Sequence, residues 1–502
     1  MAWKSGEHPH PGPLPEYRER RLEPRRRGVV ALWVMLAWVA CVRGQALELT
    51  VDAHQRFQTI EGFGTGLYLN AIRPYDQEWF QGLYARDLGC SIVRMEMTPW
   101  VLGKGMSEPV VLGDDLQANI KRMDFVGAGG PSTGRMIRAV NARKLDRMLL
   151  IGSPWTPPDW MKQGSEINSN NHNSSGGHLK MDAENLKQFG RYMAAYVKGF
   201  EQAYGVPFYA VSLQNELQFT EPYNSCQYTP KEYHEAIKAV GAAFREYGIT
   251  TKILGPEGVG PDGAYFTGRQ MEWIKAVRSD PATAGDLNIF AIHGYGGNGI
   301  DILSDGAGLR DYWNKLKDFG LESWMTEASG ENAPWLHDDG KGGDDGALSL
   351  ARHIHEGLVD GNYSAIVYWQ CSDGKPSVRQ PTLMGDTAAS AKDSAKYNCA
   401  KQFFRYIRPG AVRVGVTPES ATLGASAFVH EGNRTLTVVL VNTGKADEMI
   451  RLKLPAGFNA AMQVYRTTAT DRFKFQPDVM VKDGGVIIQS PAESVMTLEQ
   501  QN

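Results

Sequence analysis

The chain has 502 residues, of which 42% are hydrophobic and 22% are charged, and its formal net charge is −3. These values are typical of a globular protein and argue against a disordered chain or a polytopic membrane protein. The slightly acidic balance lacks the basic face that nucleic-acid binding requires, so no nucleic-acid partner is expected.

Residues 1–46 are predicted to be a signal peptide with an N-terminal extension. An uncharged apolar run at 29–42 (VVALWVMLAWVACV) follows three arginines at 25–27. The run is too short to span a bilayer comfortably and has the size of a signal-peptide core, and small residues at Gly44 and Ala46 fit a cleavage site. We therefore expect a secreted or periplasmic protein without a stable membrane span.

Short β-like runs then alternate with amphipathic stretches along most of the chain. The runs lie at 59–66, 91–97, 147–155, 208–216, 251–258, 289–296, 322–329 and 364–370. The clearest helical patterns are Asp182–Tyr204, Thr229–Tyr247 and Asp345–Asp360, each opened by a residue able to cap a helix. This alternation predicts an α/β fold, a (β/α)₈ TIM barrel over residues 59–408. A doubly wound open sheet is the weaker rival, because no glycine-rich fingerprint opens a helix.

The pattern changes after residues 406–410 (YIRPG), where short alternating strands replace the strand–helix units. Residues 409–502 are therefore predicted to form a C-terminal all-β sandwich side domain. A further β-like run at 47–58 (LELTVDAHQRFQ) precedes the barrel and is expected to add a strand to that domain.

Two carboxylates stand at the ends of predicted barrel strands. The fourth run ends in Gln214-Asn215-Glu216, and the seventh places Glu327 at the matching position. The carboxyl ends of barrel strands form the active site in this fold, and a pair of carboxylates is what glycoside hydrolysis needs. Each could instead be a solvated loop carboxylate. Glu257, in LGPEG on the fifth strand, competes for the catalytic role or could bind substrate.

Other strand ends carry groups that could support such a pair. Arg94 on the second strand could hold a carboxylate in its ionised form. His293 and Tyr295, at the end of the sixth strand, could hydrogen-bond the nucleophile. Trp155 and Trp369, after the third and eighth strands, could form the floor of a sugar site. The alternative for the aromatic residues is core packing, and for His293 a structural role.

Rival motifs are weaker. The sequence G-P-S-T-G at 130–134 matches the nucleophile elbow of esterases, but a glycine-rich loop precedes it where that motif needs a strand. No phosphate-binding loop or metal-ligand spacing occurs, so neither cofactor nor metal is expected. Cys371 and Cys399 flank a long loop and could either pair in an oxidising compartment or remain free thiols.

The residues resemble those of glycoside hydrolase family 30, a family of the large retaining clan built on (β/α)₈ barrels with a β side domain. The matching segments are IEGFGTG (60–66), SPWTPPDWM (153–161), LQNE (213–216), HGYGG (293–297), WMTEASG (324–330) and KQFFRYIRPGAVRV (401–414). The dipeptide N-E alone is shared by the whole clan. The combination of LQNE with R-P-G at 408–410, where the predicted barrel ends, is specific to the family.

The resemblance implies a role for each matching residue. Glu216 would be the general acid/base and Glu327 the nucleophile, and Asn215 would bind the sugar 2-hydroxyl. Arg94, Tyr295 and Trp369 would support the nucleophile and line the subsite that holds the sugar being transferred.

The expected function is thus retaining hydrolysis of a β-linked polysaccharide or oligosaccharide by a monomer. The family covers glucosylceramide, β-1,6-glucan, β-1,6-galactan and xylan. A non-catalytic carbohydrate-binding protein on the same fold is the alternative, although such a relic should have lost one of the two carboxylates. A serine esterase is a distant third.

Overall fold

The computed structural model describes residues 46–67, 74–106, 108–126, 132–144, 148–168, 173–260, 270–295, 306–337 and 345–501. The signal peptide predicted at 1–46 lies outside these residues except for Ala46. Among the helices that are described, none combines the length and the apolar character that crossing a membrane requires.

Eight parallel strands close into the predicted barrel. In chain order they are Gly62–Gly66, Ile92–Glu96, Leu149–Ser153, Ala210–Val211, Lys252–Gly258, Leu287–His293, Glu322–Glu327 and Tyr363–Tyr368, here called barrel strands 1 to 8. Each strand pairs with its neighbour in the sequence, and strand 8 pairs with strand 1. The rival open sheet is therefore wrong. Strand 4 is much shorter than its predicted run, because the backbone leaves the ladder before Gln214-Asn215-Glu216.

Helices surround the barrel. They are Glu78–Gly82, continued by a π-helical turn at Leu83–Leu88, and then Leu116–Ile120, Ser132–Ala142, Ala183–Tyr204, Pro230–Glu246, Gln270–Arg278, Gly306–Leu316, Ala347–Val359, Ala388–Asp393 and Ala395–Phe404. Shorter 3₁₀ segments lie at Pro74–Asp76, Pro99–Met106, Asp159–Met161 and Lys317–Phe319. The loop after strand 3 forms a hairpin from the short strands Lys162–Gln163, Glu166–Asn168, Asn173–Ser175 and His178–Leu179.

Two of the three predicted helix caps are confirmed. The side chain of Asp182 accepts from the backbone N–H of Asn185 at 3.0 Å. Thr229 and Glu232 form a reciprocal capping box, and Pro230 occupies the first helical position between them. The third cap is wrong, because Gly346 occupies the N-cap and Asp345 accepts instead from the Asn332 amide at 2.7 Å.

The inside of the barrel is filled by side chains, so it is a packed core and not a channel. Its members are Ile92, Ile151, Ala210, Leu254, Ile289, Ala291, Trp324, Ala365 and Val367. Because this layer excludes substrate, the chemistry is confined to the carboxyl end of the strands above it.

Two glycines allow strand 1 to approach its neighbours closely. A Cβ on Gly64 would lie 1.9 Å from the carbonyl oxygen of Ile92, and one on Gly66 would lie 2.1 Å from that of Trp369. A side chain at either position would collide with backbone, so these glycines set the spacing of strands 2 and 8 against strand 1.

The side domain is a nine-stranded sheet with a hydrophobic core of its own. The strands, in spatial order, are Lys474–Val479, Met462–Thr467, Ser494–Gln501, Thr435–Asn442, Leu423–His430, Val412–Thr417, Leu47–Thr59, Glu448–Lys453 and Gly485–Ser490. The strand that precedes the barrel lies inside this sheet, antiparallel to Val412–Thr417 and parallel to Glu448–Lys453.

Candidate active site

The structure gathers the predicted residues at the carboxyl end of the barrel. Arg94 lies on strand 2, Glu216 follows strand 4, His293 ends strand 6 and Glu327 ends strand 7. All four side chains are buried, and Arg94 is only 1% exposed. Charged groups are rarely buried unless they are paired, so the pairs between them define the site.

Glu327 is held by two donors. Arg94 Nη1 donates to its Oε2 at 2.6 Å, and the Tyr295 hydroxyl donates to its Oε1 at 2.9 Å. Burial raises the pKa of Glu327, while His293 and Arg94 oppose that rise. A carboxylate that accepts one hydrogen bond on each oxygen is fixed in orientation, as a nucleophile must be.

Glu216 lies on the opposite side of the same small space. One of its carboxylate oxygens, one from Glu327 and one nitrogen of His293 all lie within 4.8 Å of one another. The backbone of Glu216 is in the left-handed region, with φ of 45°, and its N–H donates to the Glu257 carbonyl oxygen at 3.0 Å. Such a conformation is costly for a residue with a Cβ and is typical of functional positions.

His293 contacts a different carboxylate from the one predicted. Its Nδ1 lies 2.8 Å from Glu216 Oε1, whereas its Nε2 is 3.9 Å from Glu327 Oε2. Arg94 Nη2 lies 3.4 Å from Nε2. Because a guanidinium only donates, Nε2 of the neutral ring accepts, and Nδ1 carries the hydrogen that is donated to Glu216. Tyr295, which was also expected to contact the nucleophile, does so.

The charge on His293 is governed by its surroundings. Burial lowers the pKa of His293, but the carboxylates of Glu327 and Glu216 outweigh burial and raise the pKa above its ordinary value. The two carboxylates thus favour the protonated imidazole, whereas burial and the Arg94 guanidinium favour the neutral ring.

Glu257, the competing carboxylate, lies below these groups and is fully buried. Its Oε1 accepts from Arg94 Nε at 3.2 Å. Burial opposes its ionisation, yet Arg94 and His293 together lower its pKa. A buried, paired carboxylate with a lowered pKa is suited to orienting Arg94 and not to delivering a proton.

Asn215 and the two tryptophans complete the predicted set. Asn215 Oδ1 accepts from Arg94 Nη2 at 2.7 Å, which leaves its amide N–H groups as donors. The ring of Trp155 lies 6.1 Å from that of Trp369 and 4.9 Å from the Arg94 guanidinium carbon. Trp155 therefore packs on Arg94, whereas Trp369 is the more exposed of the two rings.

Three side chains at this end of the barrel were not predicted. Glu221, on the loop after strand 4, is 1% exposed and lies 3.4 Å from the Asn215 amide nitrogen. Ser329 lies 3.4 Å from the Tyr295 hydroxyl. The Gln214 amide donates to the Trp155 and Asn215 carbonyl oxygens at 2.7 and 2.8 Å. Glu221 carries no sequence signal, because it stands in a polar loop and not at a strand end.

The predicted disulfide is absent. Cys371 and Cys399 are free thiols in the described chain, and both are fully buried. Burial raises the pKa of Cys371 to about 12, and a hydrogen bond with Thr65 opposes the rise. The helix Ala395–Phe404 holds Cys399 in the hydrophobic core, so each thiol packs as a small apolar group.

The esterase motif receives no support. Residues 127–131 lie outside the described residues, and Ser132 opens the helix Ser132–Ala142. The elements described between barrel strand 2 and Ser132 are the 3₁₀ segment Pro99–Met106 and the helix Leu116–Ile120. Neither is the strand that a nucleophile elbow requires.

Known proteins with similar sequences are glycosidases. The glucuronoxylanase XynC of Bacillus subtilis is 23% identical over 357 residues, which cover 70% of this chain and 73% of that protein. An endo-1,6-beta-D-glucanase of Neurospora crassa is 28% identical over 41% of this chain and 44% of its own length. The lysosomal acid glucosylceramidase of Mus musculus is 25% identical over 55% of this chain and 53% of its own length.

Among solved structures, the glycoside hydrolase family 30 subfamily 8 xylanase Xyn30A of Clostridium acetobutylicum superimposes with a TM-score of 0.68 at 23% identity. The match covers 91% of this chain and all of that one. No family model matches the chain. The named sequence relatives are glycosidases, and the chain shares the fold of a glycoside hydrolase of family 30.

Proposed function

We propose that the chain is a retaining β-glycoside hydrolase in which Glu327 is the nucleophile and Glu216 the general acid/base. The observation that carries the proposal is the approach of one oxygen from each carboxylate to within 4.8 Å. Retaining enzymes hold their carboxyl groups about 5–5.5 Å apart, whereas inverting enzymes leave roughly 6.5–9.5 Å for a water molecule.

The surroundings divide the two roles. Glu327 faces the permanent cation of Arg94 and the Tyr295 hydroxyl, which favour an ionised, oriented nucleophile. Glu216 faces the titratable imidazole of His293, whose Nδ1 lies 2.8 Å from Glu216 Oε1. In the first step Glu327 attacks the anomeric carbon, while Glu216 gives its proton to the departing sugar oxygen. In the second step Glu216 takes a proton from the water that releases the sugar from Glu327.

Two further residues are proposed to bind the sugar, and two others support the site. The free N–H of Asn215 is oriented by Arg94 and would donate to the 2-hydroxyl. Trp369 offers the more accessible ring for stacking, with Trp155 packed behind it on Arg94. Tyr295 would remain on Glu327 throughout the reaction.

The proposed substrate is a β-linked polysaccharide or oligosaccharide. The named relatives support this class, since they comprise a glucuronoxylanase, endo-1,6-beta-D-glucanases and glucosylceramidases. The apolar run at 29–42 supports export of the protein, and an exported enzyme would meet such polymers outside the cell. Purified protein should be screened against glucuronoxylan, β-1,6-glucan, β-1,6-galactan and glucosylceramide.

Azide rescue tests the roles of the two carboxylates. On an aryl β-glycoside with a good leaving group, Glu216→Ala should still form the covalent intermediate, and azide should release it as the β-glycosyl azide. Loss of general acid–base assistance should lower cleavage of the natural polymer about 10²–10⁴-fold. Glu327→Ala should yield the α-azide, because azide then attacks in place of the nucleophile.

Two results would overturn the assignment. An α-azide from Glu216→Ala would exchange the roles of the two carboxylates. Full activity of Glu216→Ala on the natural polymer would show that Glu216 is not the general acid. Glu257 would then be the candidate for that role.

A further inference from the structure

Besides Glu216, Glu327 and Glu257, the active site contains a fourth carboxyl group, which the proposed reaction does not use. Glu221 is 1% exposed and lies on the loop between barrel strand 4 and the helix Pro230–Glu246. Its Oε1 is 3.4 Å from the Asn215 amide nitrogen. Its Oε2 is buried and accepts no hydrogen bond from the described residues.

The side chain of Glu221 does not hold its own loop. The loop is tied through its backbone, where the Glu221 N–H donates to Ser225 Oγ at 3.0 Å and the Glu221 carbonyl oxygen accepts from Ser175 and Ser225. A substitution that changes only the carboxyl group therefore leaves these loop contacts in place.

The carboxyl group of Glu221 faces that of Glu216 within hydrogen-bonding reach. Two ionised carboxylates in such contact would repel each other in a buried space, whereas one protonated carboxyl group can donate to the other. A proton on Glu221 would supply the hydrogen-bond donor that this pair of carboxyl groups otherwise lacks.

The charges around Glu221 favour that proton. Burial raises the pKa of Glu221 to about 11, with the carboxylates of Glu216 and Glu327 adding to the rise and Arg94 opposing it. The other titratable neighbours are the Tyr223 phenol and, through Glu216, His293. These surroundings favour the neutral form of Glu221, which can donate a hydrogen bond.

We propose that Glu221 is a positioning residue that stays protonated and donates a hydrogen bond to Glu216, stabilising the carboxylate that Glu216 becomes when it protonates the leaving sugar. The proposal rests on the acid/base role given to Glu216 above. No proton is gained or lost over the complete reaction. Glu216 transfers its own proton to the leaving oxygen and later regains one from water, while the proton on Glu221 stays where it is.

The test compares Glu221→Gln with Glu221→Leu on two substrates of the same sugar, a phenyl and a 2,4-dinitrophenyl β-glycoside. The phenyl leaving group needs protonation, and the dinitrophenyl group does not. A hydrogen bond to a charged group is worth about ten- to a hundredfold in rate, so Glu221→Leu should lose about that much in kcat/KM on the phenyl glycoside. It should lose no more than about twofold on the dinitrophenyl glycoside, and Glu221→Gln should keep most activity because its amide still donates.

The pH profile supplies a readout that a merely structural residue would not move. Without the donor, the alkaline limb of kcat/KM on the phenyl glycoside should shift to higher pH in Glu221→Leu and much less in Glu221→Gln. Equal losses on both glycosides, an unmoved limb, or a Gln variant as impaired as the Leu variant would overturn the proposal. These outcomes leave wild-type turnover and the azide rescue of Glu216→Ala intact, whereas failure of the proposed function would abolish both.

Discussion

At the scale of single residues, the site depends on one guanidinium. The guanidinium of Arg94 donates to Glu257, Glu327 and Asn215, at 3.2, 2.6 and 2.7 Å, and its Nη2 also lies near His293. A lysine presents a compact point charge and cannot reach three partners in a fixed planar arrangement. Arg94 therefore couples the orientation of the nucleophile to that of the residue expected to bind the 2-hydroxyl.

Replacing Arg94 with lysine should damage both activity and stability. Each lost charge-assisted hydrogen bond lowers the rate by about ten- to a hundredfold, and leaving Glu257 buried without its partner costs about 3 kcal/mol. Steady-state kinetics and thermal unfolding measure the two effects. Arg135→Lys is the matched control, since that arginine is exposed and pairs with the exposed Asp76 at 3.4 Å. An Arg94→Lys variant as active and stable as this control would contradict the prediction.

Glu96, at the end of barrel strand 2, predicts a pH-dependent change in stability. Burial raises its pKa to about 7 from 4.5, with Arg94 opposing the rise. The folded chain holds this proton while the unfolded chain releases it, so the contribution is complete below about pH 4.5 and is lost as the pH rises to about 7. Glu96→Gln removes that dependence. Relative to wild type, its free energy of unfolding should gain about 3 kcal/mol between pH 4 and pH 8.

Denaturant titrations at the two pH values provide the measurement for Glu96→Gln. The control is Glu48→Gln, whose side chain is 77% exposed, and its difference from wild type should stay nearly constant. A constant difference for Glu96→Gln as well would mean that the carboxyl group of Glu96 is not held in its protonated form.

At the scale of elements, buried ammonium groups link the loops that carry the site. Lys162 donates to the carbonyl oxygens of Ser174, Gly176 and Ser225, at 3.1, 2.9 and 2.8 Å. The contacts join the hairpin after strand 3 to the loop after strand 4. Lys396 does the same for the loops after strands 7 and 8, donating to three carbonyl oxygens at 2.7–2.9 Å. These loops lack a continuous ladder of backbone hydrogen bonds, so the buried lysines hold their backbone in place.

Lys162→Met should loosen the loop that contains Glu221. The apolar stem is kept, but three buried carbonyl oxygens lose their donor, at about 1–3 kcal/mol each. We expect lower stability, a reduced kcat and faster hydrogen exchange at residues 173–179 and 220–227, measured by mass spectrometry. Lys187→Met, on an exposed lysine 3.5 Å from Asp114, is the control. Unchanged exchange in both segments would show that other contacts hold these loops.

At the scale of the whole molecule, the barrel and the side domain share structural elements. The strand Leu47–Thr59 enters the barrel from the middle of the side-domain sheet. The Gln402 amide, on a barrel helix, donates to Thr467 Oγ1 at 2.8 Å, and Thr497 Oγ1 donates to the Gln402 carbonyl oxygen at 2.6 Å. Unfolding either part exposes buried surface and buried polar groups of the other.

The two parts should therefore unfold in a single transition. In a chain that lacks residues 1–46, and with them Trp3, Trp33 and Trp38, every tryptophan lies between Trp79 and Trp369, so tryptophan fluorescence reports mainly on the barrel. Its denaturation midpoint should coincide with that for hydrogen exchange of the side-domain strands Thr435–Asn442 and Ser494–Gln501. Gln402→Ala should lower both midpoints together. A side domain that unfolds at a distinctly lower denaturant concentration would contradict this coupling.

Local patterns in the sequence determined the architecture and the candidate pair. Strand–helix alternation depends on hydrophobic periodicity and on turn residues, and both are properties of neighbouring residues. For that reason the eight strands were predictable, and so was the position of Glu216 and Glu327 near the carboxyl ends of barrel strands 4 and 7. Asp182 and Thr229 were likewise found as helix caps, because a cap acts within one turn of its own helix.

Tertiary structure alone decided which groups meet across the barrel. Residues far apart in sequence, such as His293 and Glu216, come within 2.8 Å only after the strands close, so no local pattern could assign that contact. The separation of Cys371 and Cys399 along the chain likewise could not decide whether they form a disulfide. In the folded chain each thiol is buried and free. Glu221 could not be identified from the sequence, because the groups that surround its side chain are brought together only by folding. Burial among other carboxyl groups turns an ordinary loop glutamate into a neutral donor, and only the folded chain creates that burial.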